Sequence, residues 1–306
     1  GRSAIGPITQ WDAASWPACS ATPIVGRLGD MYGPKPILMV CAVMLTVGSL
    51  TSALTSSLVP FVVGRGLQGL AMPIIPLGIS VLRAAVPPDR VGSAMGLISS
   101  SLGVGGALGL PLSAVIADAF DWHLLFWCAA GLGFGLLVLF AFLVPHVPAT
   151  STDRLDPLGA VLLAGGLLTL LLPITKGSTW GWTSTAVWSL FGASVLIFTV
   201  FAAWQLRTAA PMVDLRTTLK RPVLTTNVAS VAVGFALFGM SLIGPQILEL
   251  PTETGFGLGQ SMLQTGLWMA PGGLAMMISA PIAARMAAKR GPRFTLVAGA
   301  LIIACA

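Results

Sequence analysis

Charge is the scarcest ingredient of this sequence. Of 306 residues, 16 are lysine or arginine and 10 aspartate or glutamate, 8% in all, where a soluble domain carries about 25%. So little polar side chain cannot cover a water-soluble fold of this length. Histidine is nearly absent (His123 and His146), and the four cysteines, Cys19, Cys41, Cys128 and Cys305, lie scattered in apolar sequence with no CxxC pair. That spacing argues against a metal centre or a disulfide framework and reads as small buried hydrophobes. No nucleotide-binding loop and no plausible nucleophile–base–acid set is present either, so an enzyme is not expected and no cofactor is called for.

What the chain has in plenty is apolar sequence. Hydrophobic residues make up 55% and the mean hydropathy is +0.90. The apolar runs approach the ~20 residues that span a bilayer. Thirty-six glycines and twenty-two prolines punctuate them, which suits membrane helices rather than the short alternating strands of a barrel. Nine good or partial spans are read at Pro36–Leu54, Leu58–Leu82, Val91–Ile116, Leu124–Val144, Leu158–Ile174, Ala186–Trp204, Val223–Leu250, Met262–Ala284 and Phe294–Ala306. A poorer segment, Ile8–Val25, contains Gln10, Asp12 and Pro17 and makes ten. Gly1 is not an initiator methionine and the sequence stops within LVAGALIIACA, so the expectation is a fragment cut at both ends.

The basic residues orient these spans. Alternate loops hold Arg27 and Lys35; Arg83 and Arg90; Arg154; Arg207, Arg216, Lys220 and Arg221; and Arg285, Lys289, Arg290 and Arg293, thirteen of the sixteen. The intervening loops hold Lys176 alone, so the basic loops face the cytoplasm. The net charge of +6 follows from that asymmetry and faces anionic lipid; it requires no nucleic-acid partner. Trp122, Trp127, Trp180, Trp182 and Trp188 fall near the interfaces, as belt anchors do.

Four features interrupt the apolar background. The first is GRLGDMYGPKP at Gly26–Pro36, a charged, glycine-rich cytoplasmic island. Gly26 permits close helix approach, Gly33 a tight turn, and Asp30 can cap a helix or pair with an arginine; Arg27 and Lys35 supply the cations. A plain short loop with one salt bridge is the competing reading. The second is Arg65 in GRGLQGL, seven residues into its span and so about 10 Å deep. A charge at that depth costs a few kcal/mol on insertion scales (~3). Either it snorkels, or it faces a polar cavity and lowers the pKa of a carboxylate; Gln68 lies one turn on, on the same face. The third is GVGGALGLP at Gly103–Pro111, where Gly105 and Gly109 form a small-xxx-small pair and Pro111 removes a backbone hydrogen bond. It suits a hinge, or simple tight packing. The fourth is Gly244-Pro245-Gln246 with Glu249, a proline inside a span whose acidic end reads as interfacial.

Together and in this order, the motifs resemble the major facilitator superfamily, and within it the fourteen-helix drug:proton antiporters. GRLGDMYGPKP resembles the family's loop between its second and third helices, GRGLQG its fourth-helix motif, and GVGGALGLP its fifth-helix antiporter motif, with Leu110 where the family has glycine. WGW at Trp180–Trp182 followed by PMVDL resembles the branch's two-helix insert and the loop after it. PIAARMAAKRGPR at Pro281–Arg293 is similar to a weakened copy of the first loop signature, as an internal repeat would give. The resemblance implies an all-α polytopic membrane protein of the major facilitator fold with about ten of fourteen helices present. Its segments would be 1–150 (second to sixth helices), 151–221 (two-helix insert and cytoplasmic loop) and 222–306 (the start of the second half). The first helix, with the family's membrane aspartate, and the last three would lie outside the chain; residues before Thr22 fit the pattern poorly.

The function so implied is a monomeric secondary transporter in a bacterial plasma membrane. It would export amphipathic small molecules in exchange for protons by alternating access, driven by the proton gradient. Arg65 and Gln68 would serve proton coupling. Gly26, Arg27, Asp30, Gly33 and Lys35 would form a cytoplasmic latch, and Gly105, Gly109 and Pro111 a flexible helix interface. The alternatives weighed are a nonfunctional truncated fragment and a non-transporting receptor or scaffold on the same fold.

Overall fold

A computed structural model describes residues 21–87, 90–149, 156–255 and 257–305. Most of the Ile8–Val25 segment, and Arg154 of the basic loops, lie outside these. The described chain is helical: α1 (21–32), α2 (Pro34–Leu54), α3 (Leu58–Leu70), α4 (Ile74–Ala85), α5 (Val91–Ala119), α6 (His123–Leu143), α7 (Pro157–Trp180), α8 (Thr185–Arg207), α9 (Leu215–Thr218), α10 (Arg221–Glu249), α11 (Met262–Arg290) and α12 (Pro292–Cys305). Eight of these stretches are long and apolar enough to cross a membrane, counting Leu58–Ala85 as one, and Arg293–Ile302 is a shorter apolar helix.

The Leu58–Leu82 span differs in one respect from its sequence reading: it is two helices, broken at residues 71–73. Pro73 has no N–H to give the Gly69 carbonyl, and the residue before a proline is pushed out of the α region. The chain closes the gap with tighter bonds three residues apart. Ala71 N donates to Gln68 O, Met72 N to Gly69 O and Ile74 N to Ala71 O, each at 3.1 Å. By contrast Pro111, Pro245, Pro271 and Pro281 sit inside helices that continue through them.

Burial is inverted relative to a soluble protein. Phe142 and Phe235 are each 84% exposed, while Ser49 and Ser52 are fully buried. Large apolar side chains turned outward are stable in lipid, where helices associate through small residues and internal hydrogen bonds.

The chain forms two compact units, up to Val81 with Phe126–Asn227, and Leu82–Leu125 with Val228–Ala306. In the first unit Leu38, Cys41, Ala71, Leu77 and Val81 form a core covered by Ile37, Leu45 and Phe140. The α2 and α3 backbones touch: a Cβ at Gly48 would lie 2.6 Å from Gly64 O, and one at Gly64 would lie 2.7 Å from Gly48 O. In the second unit α5 packs along α11. A Cβ at Gly103 would lie 2.7 Å from Gly273 O, one at Gly273 2.5 Å from Ala107 N, and one at Gly266 2.8 Å from the Pro111 Cα. The Ser100 hydroxyl donates across to Met277 O at 3.0 Å.

Within the first unit, α7 and α8 form a closed pair. Pro157 takes the first helical position of α7, where a missing N–H costs nothing, and Asp156 caps it by accepting from Gly159 N at 2.8 Å. The same carboxylate, 8% exposed, accepts from Trp204 Nε1 at 3.0 and 3.1 Å and from Gln205 Nε2 at 2.8 Å. Midway along the two helices the Ser194 hydroxyl donates to Gly166 O at 3.2 Å. Asp156→Ala would strand the indole N–H, the amide and the α7 end together. We expect a loss of roughly 1–3 kcal/mol, seen as a lowered unfolding temperature in detergent, with Asp156→Asn in between.

Candidate functional site

The arginine inside the membrane span is held by a chain of hydrogen bonds. Arg65 Nη1 donates to Gln68 Oε1 at 2.8 Å, and Gln68 Nε2 donates to Ser49 Oγ at 2.8 Å. The order is forced by chemistry. Arginine only donates, so Gln68 must turn its carbonyl to Arg65 and offer its amide N–H elsewhere. Helix spacing brings Arg65 and Gln68 onto one face of α3, and the close α2–α3 contact at Gly48 and Gly64 brings Ser49 within reach. On the far side the guanidinium carbon lies 6.0 Å from the centre of the Phe126 ring, at the outer limit for a cation–π contact. Phe61 fixes that ring edge-on at 5.4 Å and 81°.

One buried nitrogen lacks an acceptor. Arg65 Nε is buried and has no hydrogen-bond partner among the described residues. A buried arginine donor without an acceptor costs free energy, so the arrangement is suited to receiving a carboxylate or another acceptor. The unit therefore presents a positioned cation inside a candidate membrane span, held by Gln68, flanked by Phe126 and with one buried donor unmatched.

The island at Gly26–Pro36 spans the end of α1, the turn and the start of α2. Gly33 has φ +85°, a conformation that disfavours other residues, and a Cβ there would lie 2.9 Å from Val147 O. Lys35 Nζ donates to Ala141 O at 3.0 Å. That carbonyl belongs to the last turn of α6, where acceptors lack intrahelical donors and the helix dipole favours a cation. Thus Gly33 and Lys35 pin the start of α2 to the end of α6. The close approach on α1 is at Gly29, where a Cβ would lie 2.5 Å from Leu77 Cδ2, whereas one at Gly26 meets no described atom within 4 Å. Asp30 is exposed and Arg27 half-buried.

On α5 the contact face is Gly96, Ser100, Gly103, Ala107 and Pro111, a run of small residues at spacings of three and four. Gly105 and Gly109 lie off it, and a Cβ at either meets no described atom within 4 Å. Pro111 is thus brought to α11, while the two glycines that pair with it in the sequence motif are not.

Sequence reasoning missed Ser49, Phe126 and the Asp156–Trp204–Gln205 cluster. Asp156 was findable, because Asp-Pro before an apolar run is a helix-start signature. Its partners lie 48 and 49 residues away, a separation no local pattern encodes. Ser49 looks like any serine in an apolar helix until α3 is laid against it.

Eight apolar spans, outward-facing large hydrophobes and a half-buried arginine network within one span define a polytopic helical membrane protein. Residues 12–306 match the Major Facilitator Superfamily, and the chain belongs to that family of transporters. It is a multi-pass plasma-membrane protein of all-α architecture. Among its relatives, the Multidrug resistance protein B homolog of Mycobacterium tuberculosis is 26% identical over 303 residues, covering 97% of this chain and 55% of that one. The Probable actinorhodin transporter of Streptomyces coelicolor is 28% identical over 310 residues, 97% of this chain and 52% of that one. The Tetracenomycin C resistance and export protein of Streptomyces glaucescens is 26% identical over 281 residues, 91% and 51% respectively. The chain spans about half the length of these curated relatives.

Proposed function

We propose that the protein containing this chain is a secondary active transporter that exports amphipathic small molecules in exchange for protons. Family membership supports transport, and relatives named for multidrug resistance and antibiotic export support the direction and the cargo class. The observation that carries the coupling is Arg65. Its charge is fixed by Gln68 and Phe126, and its Nε faces no acceptor among the described residues. A carboxylate brought to that donor ionises more readily, because the neighbouring cation favours its charged form. When conformational change separates the two, the carboxylate takes up a proton, so protonation and conformation bias one another.

In this reading Asp30 and Arg27 latch the cytoplasmic side, on the turn that Gly33 and Lys35 pin to α6. The smooth α5–α11 face, ending at Pro111, lets those helices slide as the protein alternates between inward- and outward-open forms. The proton gradient is the energy source, no cofactor takes part, and one chain is the transport unit. Cells expressing the whole protein should extrude amphipathic dyes, and a protonophore should abolish the extrusion. Dye export that persists at full rate with the gradient collapsed would refute proton coupling, and no export of any dye in the panel would refute the cargo class.

A further inference from the structure

A second polar site lies away from Arg65, where α8 ends. Gln205, Arg207, Thr208, Pro211, Asp214 and Arg216 line a pocket of about 420 Å³, mostly polar in its lining. Its walls are fixed. Gln205, 3% exposed, is held by Asp156 and accepts from Val213 N through Oε1 at 3.1 Å. Thr208 N closes the helix on Trp204 O at 3.0 Å, and Arg216 Nη2 reaches Leu206 O at 3.5 Å. The loop is therefore folded back on the helix end and tied there from both sides.

The charge balance inside is one-sided. Asp214 is the lone carboxylate in the lining, and it accepts from Arg216 N at 3.0 Å, Thr217 N at 3.2 Å and the Thr217 hydroxyl. These bonds, the Thr217 hydroxyl foremost, hold its pKa below the usual carboxylate range, with a smaller push from the Lys220 charge. Its bonded oxygens start α9. Among the described residues neither the Arg207 nor the Arg216 guanidinium has a carboxylate partner, so two forks of donors line the cavity against the single charge of Asp214, an excess of one positive charge. The pocket also sits at a particular height. It opens at the last residues of the Thr185–Arg207 span, on the side that the basic loops assign to the cytoplasm, next to the Asp156 carboxylate's bonds to Trp204 and Gln205. That is the level of phospholipid headgroups, and the cytoplasmic leaflet is the anionic one.

We propose that this pocket binds the phosphate of an anionic phospholipid from the cytoplasmic leaflet, with Arg207 and Arg216 as its ligands. The bond is charge-assisted and bidentate in kind. It fastens the α7–α8 pair to the membrane independently of the transport site.

The test is native mass spectrometry of the whole protein released from bilayers of phosphatidylglycerol mixed with phosphatidylcholine. Retained phosphatidylglycerol should fall about tenfold in the Arg207→Gln, Arg216→Gln double variant, while phosphatidylcholine is unchanged. The Arg207→Lys, Arg216→Lys variant should keep most of the retention. Because a glutamine variant could be misfolded, the same proteins are melted in detergent with and without added phosphatidylglycerol. The lipid should raise the melting temperature of the wild type and not of the double variant. An Arg83→Gln, Arg90→Gln control removes equal charge from another cytoplasmic loop, and it should leave both readouts in place. Equal retention in the double variant, or an equal loss in that control, would overturn the proposal. So would complete displacement of the lipid by inorganic phosphate, which would make the site one for the free anion.

Discussion

Arg65→Ala in the whole protein is expected to lower proton-coupled efflux about a hundredfold while the protein still inserts and folds. The guanidinium is the only part of this network that carries charge. Gln68 and Ser49 hold it, and Phe126 and Phe61 flank it. In the proposed mechanism Arg65 meets a carboxylate during the cycle, and removing one member of such a pair costs roughly 3 kcal/mol or more, which corresponds to about two powers of ten in rate. Arg65→Lys should recover only part of it. A lysine keeps the charge but loses the fork that bonds Gln68 and leaves Nε free for a second acceptor. The measurement is initial rate of dye efflux from energised cells, normalised to the amount of protein in the membrane. Efflux of the alanine variant at wild-type rate would remove Arg65 from the coupling.

Gly48→Val is expected to have the largest effect on the fold. Its Cβ would lie 2.6 Å from Gly64 O, 2.9 Å from the Leu67 Cβ and 3.0 Å from Gln68 N. Two of these are backbone atoms of α3, so no side-chain rotation relieves the clash, and the helices must separate. Overpacking costs about 1–3 kcal/mol where the surroundings can shift, and here the shift also pulls Ser49 away from Gln68. The variant should melt at a clearly lower temperature in detergent and lose transport with it. Ser49→Ala makes the separating comparison. It removes the hydrogen bond without adding volume, so it should keep most of the stability and slow transport. A Gly48→Val protein with wild-type melting would show that α2 and α3 do not pack as described.

These two residues mark what could and could not be read from the sequence. The spans were legible because hydropathy sums over some twenty residues and averages away local error. Arg65 and Gln68 were legible as a pair because three residues of helix return to the same face. The break at residues 71–73 was written in Pro73 and Pro76, yet hydropathy ran straight through it. The α5 motif was legible in kind and not in detail. The sequence offers Gly105 and Gly109 at the familiar spacing, but the face that meets α11 is set by helix rotation, and it carries Gly103 and Ala107. Nothing local to α5 encodes that rotation, because a helix this rich in small residues has several faces that would pack. Asp156 illustrates the same limit. Its capping role is local and readable, whereas its bonds to Trp204 and Gln205 depend on how α7 and α8 pair.

In the proposed mechanism substrate and proton movements are linked through Arg65. The most direct measurement reconstitutes the whole protein in vesicles with a trapped pH indicator and an imposed pH gradient. Substrate is then added, and proton flux is recorded. Substrate should discharge the gradient through the wild-type protein and leave it standing with Arg65→Ala. Substrate transport by the wild type with no accompanying proton flux would contradict the mechanism.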